Sequence, residues 1–134
     1  MGSLCDMKPI ILALVVLAQS AFAMDRFAAL SMIESGDDDS ARGPLGEVSR
    51  FQIQRDVWCQ VTNAPISQAS DPKVAEAVAR TLAGARCQEF EHQHGRPPTD
   101  VEFYILWNAP AQIGHPGGSV MERAKRFANL VADK

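Results

Sequence analysis

Residues 33–53 read IESGDDDSARGPLGEVSRFQI, and this stretch limits the fold more than any other. Before it, Phe27, Leu30 and Ile33 recur at a spacing of three. They predict a helix that Asp25 caps and Gly36 stops. Glu34 is carried out at the C-terminal end of that helix, where the negative end of the helix dipole disfavours an ionised carboxylate. An apolar wall beside it acts in the same direction, because desolvation favours the neutral acid. After the stop comes a polar loop with Asp37, Asp38, Asp39 and Arg42, punctuated by Gly43, Pro44 and Gly46. Val48 to Ile53 is short and partly alternating, which predicts a small β-hairpin facing the acid.

The rest of the chain reads as helix. Val57, Trp58 and Val61 predict a short helix from Gln54 to Thr62, ended by Pro65. Asp71-Pro72 opens the longest one, with Asp71 as cap and Pro72 at the first helical position. Its expected apolar face is Val74, Val78, Leu82 and Ala85, extended by Phe90, and Gly95 with Pro97-Pro98 terminates it. Thr99 and Glu102 match a capping box before Phe103, Tyr104, Ile105, Leu106 and Trp107, the most apolar run of the expected mature chain and so its central helix. Ser119 and Glu122 predict a second capping box, starting a last helix with Val120, Ala124, Phe127 and Val131 inward. The expected fold is one mainly α domain over residues 24–134 with a single small hairpin.

Residues 1–23 are excluded from that domain. Lys8, the apolar residues 10–18 and Ala21-Phe22-Ala23 together predict a cleaved secretory signal peptide; an uncleaved anchor is the alternative. The expected location is therefore periplasmic or secreted, with no membrane span after cleavage. Removal of Cys5 with the leader leaves Cys59 and Cys87. They form either a disulfide, worth about 3–4 kcal/mol in the loop-entropy picture, or two buried thiols. A net charge of −3 provides no basic footprint for nucleic acid. No cofactor or metal is expected: His92 and His94 are two apart and share no helical face, His115 is remote, and Asp37, Asp38 and Asp39 lack calcium-loop spacing.

Three motifs in order resemble the lysozyme-like soluble lytic transglycosylases. Glu34-Ser35 stands for that family's Glu-Ser at a helix end. Ser49-Arg50-Phe51-Gln52-Ile53 stands for its Gly-Leu-Met-Gln-Ile run, with Gln52 eighteen positions after Glu34. Ser40-Ala41 and Gly46 fall on the loop between, and Leu106-Trp107-Asn108-Ala109-Pro110 stands for Ala-Tyr-Asn-Ala-Gly on a later helix. The tail, residues 122–131, resembles the closing helix. The chain departs from the pattern at Ser49 for glycine, Arg50-Phe51 for Leu-Met, Trp107 for tyrosine, Pro110 for glycine, and Glu47 for a small residue.

The resemblance implies a lysozyme-like helical domain with its hairpin beside an active-site cleft, acting as a monomer on peptidoglycan glycan strands. In such an enzyme Glu34 protonates the bond between N-acetylmuramic acid and N-acetylglucosamine. It then serves as base while the muramyl 6-hydroxyl closes a 1,6-anhydro ring. Ser35, Ser49, Phe51, Gln52, Tyr104, Trp107 and Asn108 are the expected substrate-binding residues. The family tyrosine touches the acid through a hydroxyl that Trp107 lacks, and Tyr104, one helical turn earlier, can substitute. Glu47 is a second candidate catalytic group. Facing Glu34, it would activate water as in a muramidase-type hydrolase; otherwise it pairs with Arg50 or Arg42. A glycan-binding wall protein without turnover is the expectation from outside the enzymes.

Overall fold

The computed structural model describes residues 24–132, so the expected leader lies outside the described residues. The protein is mainly helical: α1 (Arg26–Ser35), α2 (Arg55–Val61), α3 (Pro72–His94), α4 (Asp100–Asn108) and α5 (Gly118–Val131). Two short 3-10 turns, Ile66–Ser70 and Pro110–Gln112, connect them. No helix among the described residues is long and apolar enough to cross a membrane.

The helix ends follow their capping residues. The Asp25 carboxylate accepts from Phe27 N–H at the start of α1, and Gly36 closes it at φ 67°, with its N–H donating to Met32 O. At α3 the Asp71 carboxylate accepts from Lys73 N–H and Val74 N–H, and Gly95 ends the helix at φ 70°. Both halves of the Thr99–Glu102 capping box are formed on α4. Ser119 is different. The last helix starts at Gly118 with Gly117 as its cap, so Ser119 lies inside the first turn and caps nothing. The Gly117 N–H donates instead to Gln112 Oε1, 2.9 Å away.

The core sits around α4, whose five consecutive residues Phe103 to Trp107 are all buried. Such a run has no solvent face, which makes α4 the central helix. It packs most extensively on α5, and also against α3. Phe127 of α5 is fully buried and lies against Phe103 and Tyr104, at ring separations of 5.6 Å and 5.5 Å. Of the expected face of α3, Val78 and Phe90 are buried and Val74 and Leu82 pack partly buried against the core, while Ala85 is exposed and Ala75, Ala79 and Ala83 are buried instead. The alanine stripe lies one position away from the expected valine and leucine stripe, and its small side chains allow the backbones to come close. Trp58 of α2 is fully buried, with its indole N–H donating to Ala64 O.

In place of the expected hairpin, the described residues form only isolated β-bridges. Val48 and Ile53 exchange both backbone hydrogen bonds, at 2.8 Å and 2.9 Å, and Val48 also bridges Arg42, but no longer strand forms among the described residues. Between Val48 and Ile53 the chain turns through Ser49 and Gln52, both left-handed at φ 70° and 51°. A strand ladder cannot propagate through residues in that region. Cys59 is exposed, Cys87 is partly buried, and both are free thiols.

Candidate functional site

The last residues of α1 place Glu34 at the floor of a cleft of about 480 Å³. Glu47, Gln52, Trp107, Asn108 and Arg123 line the same cleft. Only 7% of the Glu34 side chain is exposed. The Tyr104 hydroxyl donates to Glu34 Oε1 at 2.7 Å, and Arg123 Nη2 lies 3.5 Å from Oε2. Burial is the dominant influence on the acid and raises its pKa above the ordinary glutamate value. The Tyr104 hydrogen bond and the Arg123 charge pull the other way without overcoming burial, and the negative charge of Glu47 adds to the rise. Tyr104 keeps its proton because burial and the adjacent Glu34 push its own pKa up, so the phenol stays a donor.

Glu47 and Gln52 are brought to the cleft by the loop. The Glu47 carboxylate accepts from Leu45 N–H at 3.0 Å, so the loop's own backbone holds it. It is not paired with either expected arginine. Arg50 makes a two-pronged contact with Asp39, at 2.7 Å and 3.1 Å, and Arg42 donates to Ala41 O. Gln52 Nε2 donates to Ser49 O at 2.9 Å, which fixes the amide. Gly43 lies directly beneath both side chains. A β-carbon there would overlap the Glu47 carboxylate and come within 2.8 Å of Gln52 Oε1.

Four of the expected substrate-binding residues lie behind the cleft lining. The Ser35 hydroxyl donates to Arg50 O at 2.7 Å and accepts from Asp38 N–H, tying the end of α1 to the loop. Ser49 is fully buried, and its hydroxyl accepts from Phe51 N–H. Phe51 is buried edge-on against Trp107 and Phe27, with ring separations of 6.4 Å to each. Tyr104 is fully buried and reaches the site through its hydroxyl alone. Trp107 combines two roles, being 8% exposed in the core and also part of the cleft wall. Asn108, the last residue of α4, is exposed beside it.

The three loop aspartates are engaged within the protein. Asp37 accepts from the Ser31 hydroxyl, Asp38 from Ser40, and Asp39 from Arg50. Among the described residues no grouping of three or more ligating side chains suits a metal ion. Sequence reasoning misses Arg86 and Arg123, which both line the cleft. An arginine on an amphipathic helix ordinarily reads as solvated, and nothing in the local pattern of α3 or α5 marks these two.

A desolvated acid with a raised pKa, a phenol donor at its back and two amide side chains nearby can deliver a proton to a bound oxygen. The surrounding Glu47, Gln52, Asn108 and Trp107 suit a ligand rich in hydroxyl and amide groups with apolar faces. Comparison with protein-family models, with curated proteins and with solved structures returns no match for this chain.

Proposed function

We propose that the protein cleaves the glycan strands of peptidoglycan as a lytic transglycosylase on a lysozyme-like frame. The observation that carries this is Glu34, nearly excluded from solvent, with a raised pKa, bonded to Tyr104 and opening on a cleft with Gln52 and Asn108. Protonated Glu34 gives its proton to the oxygen joining N-acetylmuramic acid to N-acetylglucosamine. The bond from the muramyl C1 to that oxygen then breaks, leaving an oxocarbenium-like centre. The muramyl 6-hydroxyl attacks C1 and returns its proton to the Glu34 carboxylate, so the acid is regenerated and no water is consumed. Arg123 and the Tyr104 hydroxyl stabilise the carboxylate during the interval in which it is charged.

A hydrolase is the second reading, favoured by the presence of Glu47 in the same cleft. There Glu47 would take a proton from water as that water attacks C1, and the product would be a reducing sugar. Mass spectrometry of digested cell-wall sacculi separates the two. The expected products are 1,6-anhydro-muropeptides; reducing ends would establish hydrolysis, and strand binding without products would establish a wall-binding protein. Glu34→Gln should lower turnover by about 10²–10⁴-fold with the fold intact. Undiminished cleavage by that variant would remove Glu34 from the chemistry.

A further inference from the structure

A second cavity of about 340 Å³ adjoins the cleft and shares Arg86 and Pro110 with it. Its other walls include the apolar side chains of Ala85, Phe90, Leu106 and Ile113. Arg86 therefore lies at the junction of a polar cleft and an apolar pocket.

Arg86 combines partial burial with the lack of an ion pair, whereas Arg42, Arg55 and Arg126, which also form none among the described residues, are exposed. Arg26, Arg50, Arg80, Arg96 and Arg123 each face a carboxylate. Arg86 is partly buried, and among the described residues no carboxylate pairs with it. Its Nη1 donates to Leu106 O at 3.0 Å and to Trp107 O at 2.7 Å, which anchors the guanidinium at the end of α4. Its Nε and Nη2 make no hydrogen bond to the described residues. A fixed guanidinium with free donors in a partly dry site is suited to a carboxylate supplied by a ligand. The other charged group of the pocket, Glu89, accepts from Gln93 at 2.6 Å.

We propose that the second pocket takes the peptide branch of the bound glycan strand, and that Arg86 reads a carboxylate on that branch. This rests on the glycan reading of the cleft. It assigns the preferred substrate as a strand whose branch combines an apolar side chain, for the walls of the pocket, with a free acid for the junction.

Calorimetric titration tests it in the Glu34→Gln background, where ligands are not consumed. The probes are a disaccharide-repeat tetrasaccharide carrying its peptide as the free acid, the same compound with the peptide carboxylates converted to carboxamides, and chitotetraose. The free acid should bind about tenfold more tightly than the carboxamide, the size expected of a charge-assisted hydrogen bond. Arg86→Gln should erase that preference, so that the free acid and the carboxamide bind alike, while chitotetraose, which carries no peptide, reports any general loss from the cleft that Arg86 also lines. Arg86→Lys, which retains the charge without the fork, should restore part of the preference. An equal loss for all three ligands would make Arg86 only an anchor of α4 and overturn the inference, as would a preference that survives Arg86→Gln. Both outcomes leave the glycan reading standing. Failure of Glu34→Gln to bind any of the three would overturn the glycan reading together with this one.

Discussion

The proton on Glu34 is balanced between burial, which retains it, and two partners that favour its release. Removing the Tyr104 hydroxyl deletes the larger of those two opposing influences, so the already raised pKa climbs further. In the proposed mechanism Glu34 works as an acid only while protonated, so the expected activity falls as pH rises through its pKa. Tyr104→Phe should therefore move the alkaline limb of the pH–rate profile upward, and Arg123→Gln should move it the same way. A limb that stays in place in both variants would show that another group sets it. The contact of Tyr104 with Glu34 is foreshadowed in the sequence, because one helical turn separates Tyr104 from the position where the resembled family carries its tyrosine. Arg123 is not legible, since the contact depends on how α5 lies against α1, and neither helix encodes that alone.

Among the elements, the loop from Gly36 to Ile53 behaves differently from the helices. Helix starts and stops rest on short-range chemistry, which is why Asp25, Gly36, Asp71, Gly95 and Thr99 act as a sequence reading expects. The loop's conformation rests on contacts that sequence patterns do not carry. Ser49 holds a left-handed backbone at φ 70°, a region that favours glycine. The expected hairpin fails to extend at the same point. The register of the cleft depends on Gly43, above which Glu47 and Gln52 approach the backbone closely. Gly43→Ala should force both side chains aside and lower kcat/KM by about tenfold to a hundredfold. Both crowding groups sit at the ends of flexible side chains, so the denaturation midpoint should hardly change. Equal activity, measured on the same wall substrate, would mean that neither side chain positions the glycan.

At the level of the whole molecule, α4 is the shared partner. It packs on α5 and α3, presents Tyr104 to the acid, and ends in the Trp107–Asn108 wall of the cleft. The apolar density of residues 103–107 makes its central place legible from sequence. The face of α3 is legible in part: Val78 and Phe90 are buried as the pattern expects, but Ala75, Ala79 and Ala83 carry too little hydrophobicity to mark their share of it. Phe127→Ala, beneath both Phe103 and Tyr104, should cost about 3–5 kcal/mol in chemical denaturation. It should also depress turnover at temperatures where the variant is still folded, because Tyr104 loses its support. A loss near zero would mean that the core closes without that ring. The hydrogen bond from Tyr104 to Glu34 joins residues seventy positions apart, and Arg123 reaches the same carboxylate from later still. A nascent chain that has not yet docked its last two helices thus carries an ordinary, solvated glutamate. On the proposed reading, any capacity to cut would appear only once the body is finished, and the fold itself would act as the safety catch on the chemistry.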